Sequence, residues 1–342
     1  MSEPAFPYPL LLCDIGGTNV RVAEVSGPGR RARATVRFET DAAPSLAEAI
    51  LAHDGLSGPP ASMILCAAGP VEGRRVRLTN ARWELDGAEI ARALDLKQGL
   101  LLNDFEAQAV MLAGLRAADA RPIGPAMPDA QGALHGARLV LGPGTGLGAA
   151  MLLPLVGNAA GGRFLPLTTE AGHMDFSPAT DEDAELWTTF RRAAPRVTGE
   201  TLLSGRGLAL IHRSLCEREG LEPAADDAAD VTARALADRD GVEARAARLF
   251  WRFAARFAGQ LALGLLARGG VTLSGGVLPR IVDFLDEAAF RDAFEDQAPL
   301  RHVVEAIPTR LVTNGEAVLD GLAALAAEPG RFMVDYDARL WR

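Results

Sequence analysis

An apolar run from Leu10 to Cys13 ends on a carboxylate, Asp14, and Gly16, Gly17, Thr18 and Asn19 follow at once. An alternating segment, Val20, Arg21 and Val22, then begins. This order predicts a strand, a tight glycine turn and a second strand. Such a turn aims several backbone N–H groups at one spot, which suits a phosphate, and a neighbouring carboxylate suits the metal ion that travels with a nucleotide. Neither a lysine nor a helix follows the turn, so it is not a Walker A loop and not a dinucleotide fingerprint.

A second turn of the same kind, Gly142-Pro143-Gly144-Thr145-Gly146-Leu147-Gly148, separates the apolar segments 139–141 and 147–153. Its glycines fall at every second position, Ala149 stands where a dinucleotide motif would place its last glycine, and the following segment reads as a strand. The dinucleotide reading therefore fails on context. Two glycine turns, one with an acid beside it, suit two phosphates gripped from two sides. Asp104, in Leu102-Asn103-Asp104-Phe105, is a carboxylate at a strand end that opens a helix. That is a place for a general base, and equally a place for an ordinary N-cap. Glu170 and His173 lie three apart in E-A-G-H-M-D-F. No third ligand is spaced to make them a metal site, but both exchange hydrogen bonds with hydroxyl groups. Glu200, in E-T-L-L-S-G, reads as a site residue or as a helix end on the surface.

The elements that must hold these residues are legible by period. Strands are expected at 10–15, 20–25, 35–38, 62–67, 76–78, 100–102, 139–141, 147–153 and 271–273. Residues 79–83 read as a polar loop. Helices are expected at 45–53, where Ser45 and Glu48 have capping-box spacing, from Phe105 onward, and at 242–267, ended by Gly269-Gly270. In that long helix Leu249, Phe253, Phe257 and Leu261 form an apolar stripe; Arg245, Arg248, Arg252 and Arg256 form a polar one, expected to be solvated. Residues 222–240 read as a surface connection or short helix. The recurrence of strand, glycine turn and strand near 10–25 and 138–153 hints at two related domains.

Composition narrows the function classes. The chain has 342 residues, enough for about two domains. It is 49% hydrophobic and 23% charged with net charge −9, which argues against nucleic-acid or anionic-membrane partners. Lys97 is the sole lysine, which excludes Schiff-base chemistry elsewhere in the chain. Cys13, Cys66 and Cys216 form no C-x-x-C pair, and the first two sit in apolar runs as buried thiols. Residues 1–9 lack the basic start of a signal peptide, and no apolar run approaches a membrane span. The expectation is a cytoplasmic, reduced protein.

Taken together, D-I-G-G-T-N-V-R (14–21), L-N-D-F (102–105), G-P-G-T-G-L-G (142–148), E-A-G-H-M-D-F (170–176), E-T-L-L-S-G-R-G-L (200–208) and L-S-G-G-V-L-P-R (273–280) resemble the bacterial glucokinases in order and spacing. The segment 290–297 and Ile307-Pro308 are also similar, so the resemblance spans about residues 10 to 325. It implies the acetate kinase/hexokinase/actin superfamily, an α/β, two-lobed, actin-like ATPase (ribonuclease H-like) fold with mixed sheets flanked by helices. The expected lobes are 1–114 with 313–342, and 115–312. The cysteine-rich zinc motif of the related repressor/kinase group is missing, which implies the zinc-free branch. The resemblance makes Asp104 the base for a sugar 6-hydroxyl, and Asn103, Glu170, His173 and Glu200 the ligands of the other hydroxyls. It places Asp14 toward the water shell of Mg²⁺. Gly16, Gly17, Thr18 and Asn19 are placed at the phosphates of ATP from one domain, with Gly144, Thr145 and Gly146 there from the other. Gly275 and Gly276 line the adenosine pocket. A homodimer is the assembly the resemblance brings with it.

Ala171 departs from the glycine usual at its position, with an expected shift of Glu170. The chain after Thr313 matches loosely and ends in an extra segment, 332–342. Kinases for mannose, fructose or an N-acetylhexosamine would use the same residues. A sugar sensor that has lost catalysis would be expected to add a helix-turn-helix ahead of the nine or so residues preceding the first strand, and to lack Asp104. An actin-like filament subunit would not need Glu170 and His173.

Overall fold

The computed structural model describes residues 5–40, 43–53, 56, 58–79, 81–125, 136–155 and 162–341. Residues 1–4 of the N-terminal reading and Asn80 of the expected 79–83 loop lie outside the described residues. The chain divides into two compact units, one of residues 1–119, 150–168 and 314–342, the other of 120–149 and 169–313. The division gives 150–168 to the first unit, where the sequence reading had kept 115–312 together.

The first unit is built on β1 (Leu10–Ile15), β2 (Asn19–Val25), β3 (Arg33–Glu39), β4 (Ser62–Ala67) and β5 (Gln98–Asn103), with a short C-terminal strand, Leu340–Trp341. Their order is β3-β2-β1-β4-β5 and then the C-terminal strand. Because β1 is central, both its faces are covered, and Leu10 to Cys13 and Ile15 are all buried; this explains a continuous apolar run where an edge strand would alternate. β1 pairs antiparallel with β2, and β1, β4 and β5 run parallel. The register sets Asp14 beside Cys66, Ile15 beside Ala67, and Ala67 beside Asn103. Three strands thus deliver their carboxyl ends to one edge, where ligands of open α/β sheets bind. The helices Leu46–Leu51, Gly87–Ala93, Asp104–Met111 and Ala317–Ala327 belong to this unit. Gly321 lets the last of these approach Met111 closely, since an added Cβ would stand 2.6 Å from the Met111 Cα.

In the second unit β6 (Ala120–Ile123), β7 (Arg138–Pro143), the start of β8 (Leu147–Pro154), β10 (Val271–Leu273) and β11 (Thr309–Val312) lie in the order β8-β7-β10-β11-β6. β9 (Phe164–Thr169) counts mostly with the first unit. β7, β10 and β11 are parallel, and β6 is antiparallel to β11. The long helix spans Val242–Gly264, ending before Gly269-Gly270; Leu265 caps it and Leu266 takes a positive φ of 47°. Its apolar stripe joins a cluster in which Phe253 and Phe257 meet Phe176 edge-on at 5.8 and 5.5 Å. The arginine stripe is not solvated throughout. Arg256 is buried, pairs with Asp183 at 2.6 Å and lies 4.3 Å from the Phe176 ring centre. The helix Asp181–Ala193 supplies that carboxylate, which the sequence pattern of the long helix could not announce. Residues 222–240 contain a helix, Ala228–Ala237.

Candidate functional site

In the first unit, the turn after β1 is closed by Gly16 N–H donating to Asn19 O at 2.9 Å. Thr40 braces it, its hydroxyl donating to Gly16 O at 2.9 Å and its amide to Thr18 O at 3.0 Å. Thr18 and Asn19 are exposed and Gly16 and Gly17 half-buried. Among the described residues the amides of Gly17 and Thr18 have no acceptor, so the turn keeps the open donors a phosphate requires. Arg21 pairs with Asp14 Oδ2, a cross-strand partner by register. Cys66 Sγ lies 3.5 Å from Asp14 Oδ1. Arg21 and Cys66 carried no role in the sequence reading. A hairpin of this register puts residue 21 opposite residue 14, and that was the available signal for Arg21. Cys66 was not foreseeable, because only the parallel register of β1 and β4 brings it there.

At the end of β5 the competing readings of Asp104 separate. Asn103 is the N-cap of the helix Asp104–Met111, its Oδ1 accepting from Phe105 N at 2.9 Å and Glu106 N at 3.3 Å. Glu106 Oε2 accepts from Asn103 N at 3.4 Å and completes a capping box. Asn103 Nδ2 donates to Gly69 O at 3.0 Å. Capping therefore falls to Asn103, and Asp104 is the first helical residue. Burial pushes the Asp104 carboxyl up to about 7, and the charge of Asp14 adds to the effect, against hydrogen bonds from the Phe105 and Asp104 amides and Asn103. Among the described residues it has no cationic partner. The first unit thus brings Asp14, the 16–19 turn, Asn103 and Asp104 to one sheet edge. Ser45 also caps a helix, but its hydroxyl both accepts from Glu48 N and donates to the Glu48 carboxylate, so only half of the expected box forms.

The second unit gathers the rest. Gly144 N–H donates to Gly146 O at 2.8 Å, leaving the amides of Thr145 and Gly146 without an acceptor among the described residues. Glu200, on the turn Gly199–Leu202, accepts from Leu147 N through Oε2 at 2.9 Å. A methyl on Gly146 would run into Glu200 Oε2, the flexible end of that side chain. Gly199 packs on the aromatic cluster, an added Cβ standing 2.6 Å from Phe257 Cζ, so the long helix fixes the height of Glu200. Glu170 precedes a single 3-10 turn, Ala171–His173, that His173 ends, with His173 Nε2 3.8 Å from Glu170 Oε2. Both side chains are exposed. Gly172 lies flat on Leu147 O, and Gly199 N–H donates to Met174 O at 3.0 Å. Glu170, His173, Glu200 and the 144–146 turn are therefore knit together. Ala171 is buried in the 3-10 turn and does not take a positive φ, so its own backbone does not require the glycine usual there. Gly275 has φ +86° and presses on Pro143 O where no Cβ fits; Gly276 is open.

A family model described as Glucokinase matches residues 11–329. A glucokinase from Agrobacterium fabrum is 37% identical, over 98% of this chain and 96% of its own length. Among solved structures, a glucokinase from an Antarctic psychrotroph superposes with a TM-score of 0.77 at 30% identity, covering 93% of this chain and 98% of that one. A ROK family glucokinase from Streptomyces griseus, solved with glucose and AMPPNP, shares the fold with a TM-score of 0.62 at 21% identity, over 93% and 99% of the two chains.

Proposed function

The chain belongs to the glucokinase family, and from that premise we propose that it transfers the terminal phosphoryl group of ATP to the 6-hydroxyl of glucose, with Asp104 as general base. The observation that carries this reading is the state of Asp104. Its capping duty is taken by Asn103, it has no cationic partner among the described residues, and its pKa of about 7 matches the working pH of a base. Asp104 accepts the hydroxyl proton as the sugar oxygen bonds to the γ-phosphorus and the bond to the β–γ bridging oxygen breaks, giving glucose 6-phosphate and ADP. A positioned base of this kind contributes about 10²–10⁴ in rate.

The transition state is loose and its charge sits on the transferred phosphoryl oxygens, so the protein mainly positions and neutralises. The open amides of Gly17 and Thr18, and those of Thr145 and Gly146, are the donors for those oxygens. Gly16 and Asn19 shape the first turn, as Gly144 shapes the second; Gly275 and Gly276 offer a surface free of side chains to the adenosine. Among the described residues no three acidic, histidine or cysteine side chains form a metal cage. That fits Mg²⁺, which keeps several waters and is held by one or two carboxylates and the substrate phosphates. Among the described residues Asp14 has Oδ2 on Arg21 and Oδ1 near only the weak thiol donor of Cys66, so Oδ1 would receive a water of the ion's shell. The ion supplies charge neutralisation on the phosphates. Asn103, Glu170, His173 and Glu200 hold the remaining hydroxyls; Glu200 has Oε1 for this, because Oε2 is committed to Leu147.

Purified protein with Mg-ATP and a panel of hexoses, read by ADP release, tests the assignment. The expected result is the highest kcat/KM for glucose. Turnover confined to mannose, fructose or an N-acetylhexosamine would replace the substrate. Asp104→Asn is expected to retain glucose binding and lose at least about a hundredfold in kcat, and near-normal turnover would remove Asp104 from its role.

A further inference from the structure

The C-terminal segment lies outside the blocks that carry the family pattern, yet Leu340–Trp341 adds an edge strand to the first sheet. Leu340 pairs with Leu100 and Trp341 with Gly99 across an antiparallel ladder. Trp341 is 1% exposed. Its indole fills the space above Gly87 and Gly99, where a methyl on either glycine would run into the ring. Upstream, Met333 N–H donates to Phe164 O at 2.8 Å, and the Tyr336 hydroxyl donates to Pro329 O at 2.9 Å. Asp335 caps the turn Tyr336–Arg339 by accepting from Ala338 N at 3.1 Å. Held on both sides, Arg339 sets its guanidinium on Glu106 Oε2.

Glu106 is 6% exposed, and the oxygen that Arg339 pairs is the one that accepts the Asn103 amide. Asp104 is the first of the two residues between the halves of this capping box. A buried carboxylate needs a cation, and removing the partner leaves an uncompensated charge. Burial raises the Glu106 carboxyl while Arg339 opposes that rise. We propose that Arg339 is a positioning residue for Asp104: through Glu106 it locks the capping box, and thereby fixes the first helical turn that aims the catalytic carboxylate. The C-terminal segment is then part of the catalytic apparatus, and this inference rests on Asp104 being the base.

The test compares Arg339→Gln, Arg339→Lys, Asp104→Asn and the double variant Asp104→Asn/Arg339→Gln, with Arg331→Gln as control. Arg331 pairs with Glu328 at 2.9 Å in the same tail and does not touch Glu106. Misaimed catalytic groups cost up to about 10²-fold, so Arg339→Gln is expected to lose about 10- to 100-fold in kcat with both KM values within about threefold of wild type. Arg339→Lys, which restores a cation, is expected to recover most of the loss, and Arg331→Gln to keep wild-type kcat. The double variant is expected to be no slower than Asp104→Asn alone, since there is no base left to misaim. Wild-type kcat in Arg339→Gln overturns the proposal. So does a double variant that loses the same factor again, because the tail would then support the fold at large. A near-normal Asp104→Asn overturns the base assignment, and that failure is read from a different variant.

Discussion

Asp104 sits where two demands conflict. A base must be ionised to work, but burial and the charge of Asp14 favour its neutral form, pushing the carboxyl up to about 7. Two expected outcomes follow from the sign of that shift. With Asp104 as the proposed base, the ionised form is the active one and kcat/KM should fall about tenfold per pH unit below roughly pH 7, which a pH–rate profile measures; a flat profile down to about pH 5 would contradict it. For stability the sign is opposite. The folded state keeps this proton to a higher pH than the unfolded chain, so between the unfolded value of about 4 and the folded value of about 7 the native state loses stability as pH rises. Asp104→Asn escapes this loss. Its Tm should exceed that of wild type at about pH 8 and converge with it near pH 4, as scanning calorimetry at the two values would show. The sequence displayed Asp104 and its neighbours openly, yet left the choice between cap and base undecided. The cap fell to Asn103, whose Oδ1 accepts from the Phe105 and Glu106 backbone amides, and residue type alone does not determine that.

At the scale of elements, glycines set the distances between segments. In Gly146 a methyl would meet the flexible end of Glu200, whereas in Gly172 it would meet the rigid carbonyl of Leu147. Gly146→Ala should therefore leave the fold intact while displacing Glu200 from the Leu147 amide, raising the glucose KM several-fold with Tm little changed. Gly172→Ala has no side chain to push aside and should lower Tm by several degrees and activity with it. Steady-state kinetics alongside thermal melts separates the two; equal losses of Tm would show that Glu200 cannot yield. The hairpins around both turns were legible because a strand interrupted by glycines and resumed at once has few other solutions. The long helix was legible from its period, but the fate of Arg256 was not. Its burial depends on Asp183, 73 residues away in sequence, and on an aromatic cluster assembled from three segments.

At the scale of the whole molecule, ligand binding and folding are linked. If the 170–176 and 200 segments hold sugar only when folded, glucose at about 100 times its Kd should add about 2.7 kcal/mol of stability. The Tm rise with glucose should persist in Asp104→Asn, whose contact with sugar is retained; a missing rise in wild type would count against glucose as ligand. By itself the sequence determined the element types, both glycine turns, the carboxylates available for chemistry and the family, because these follow from local conformational preference and from the order of short blocks. Tertiary structure alone decided that Asn103 caps the helix and leaves Asp104 as its first residue, that Cys66 lies beside Asp14, that residues 150–168 join the first unit, and that Arg339 reaches Glu106 from 233 positions away. Those outcomes are set by parallel register and by packing between distant segments, and neither leaves a periodic trace in the chain.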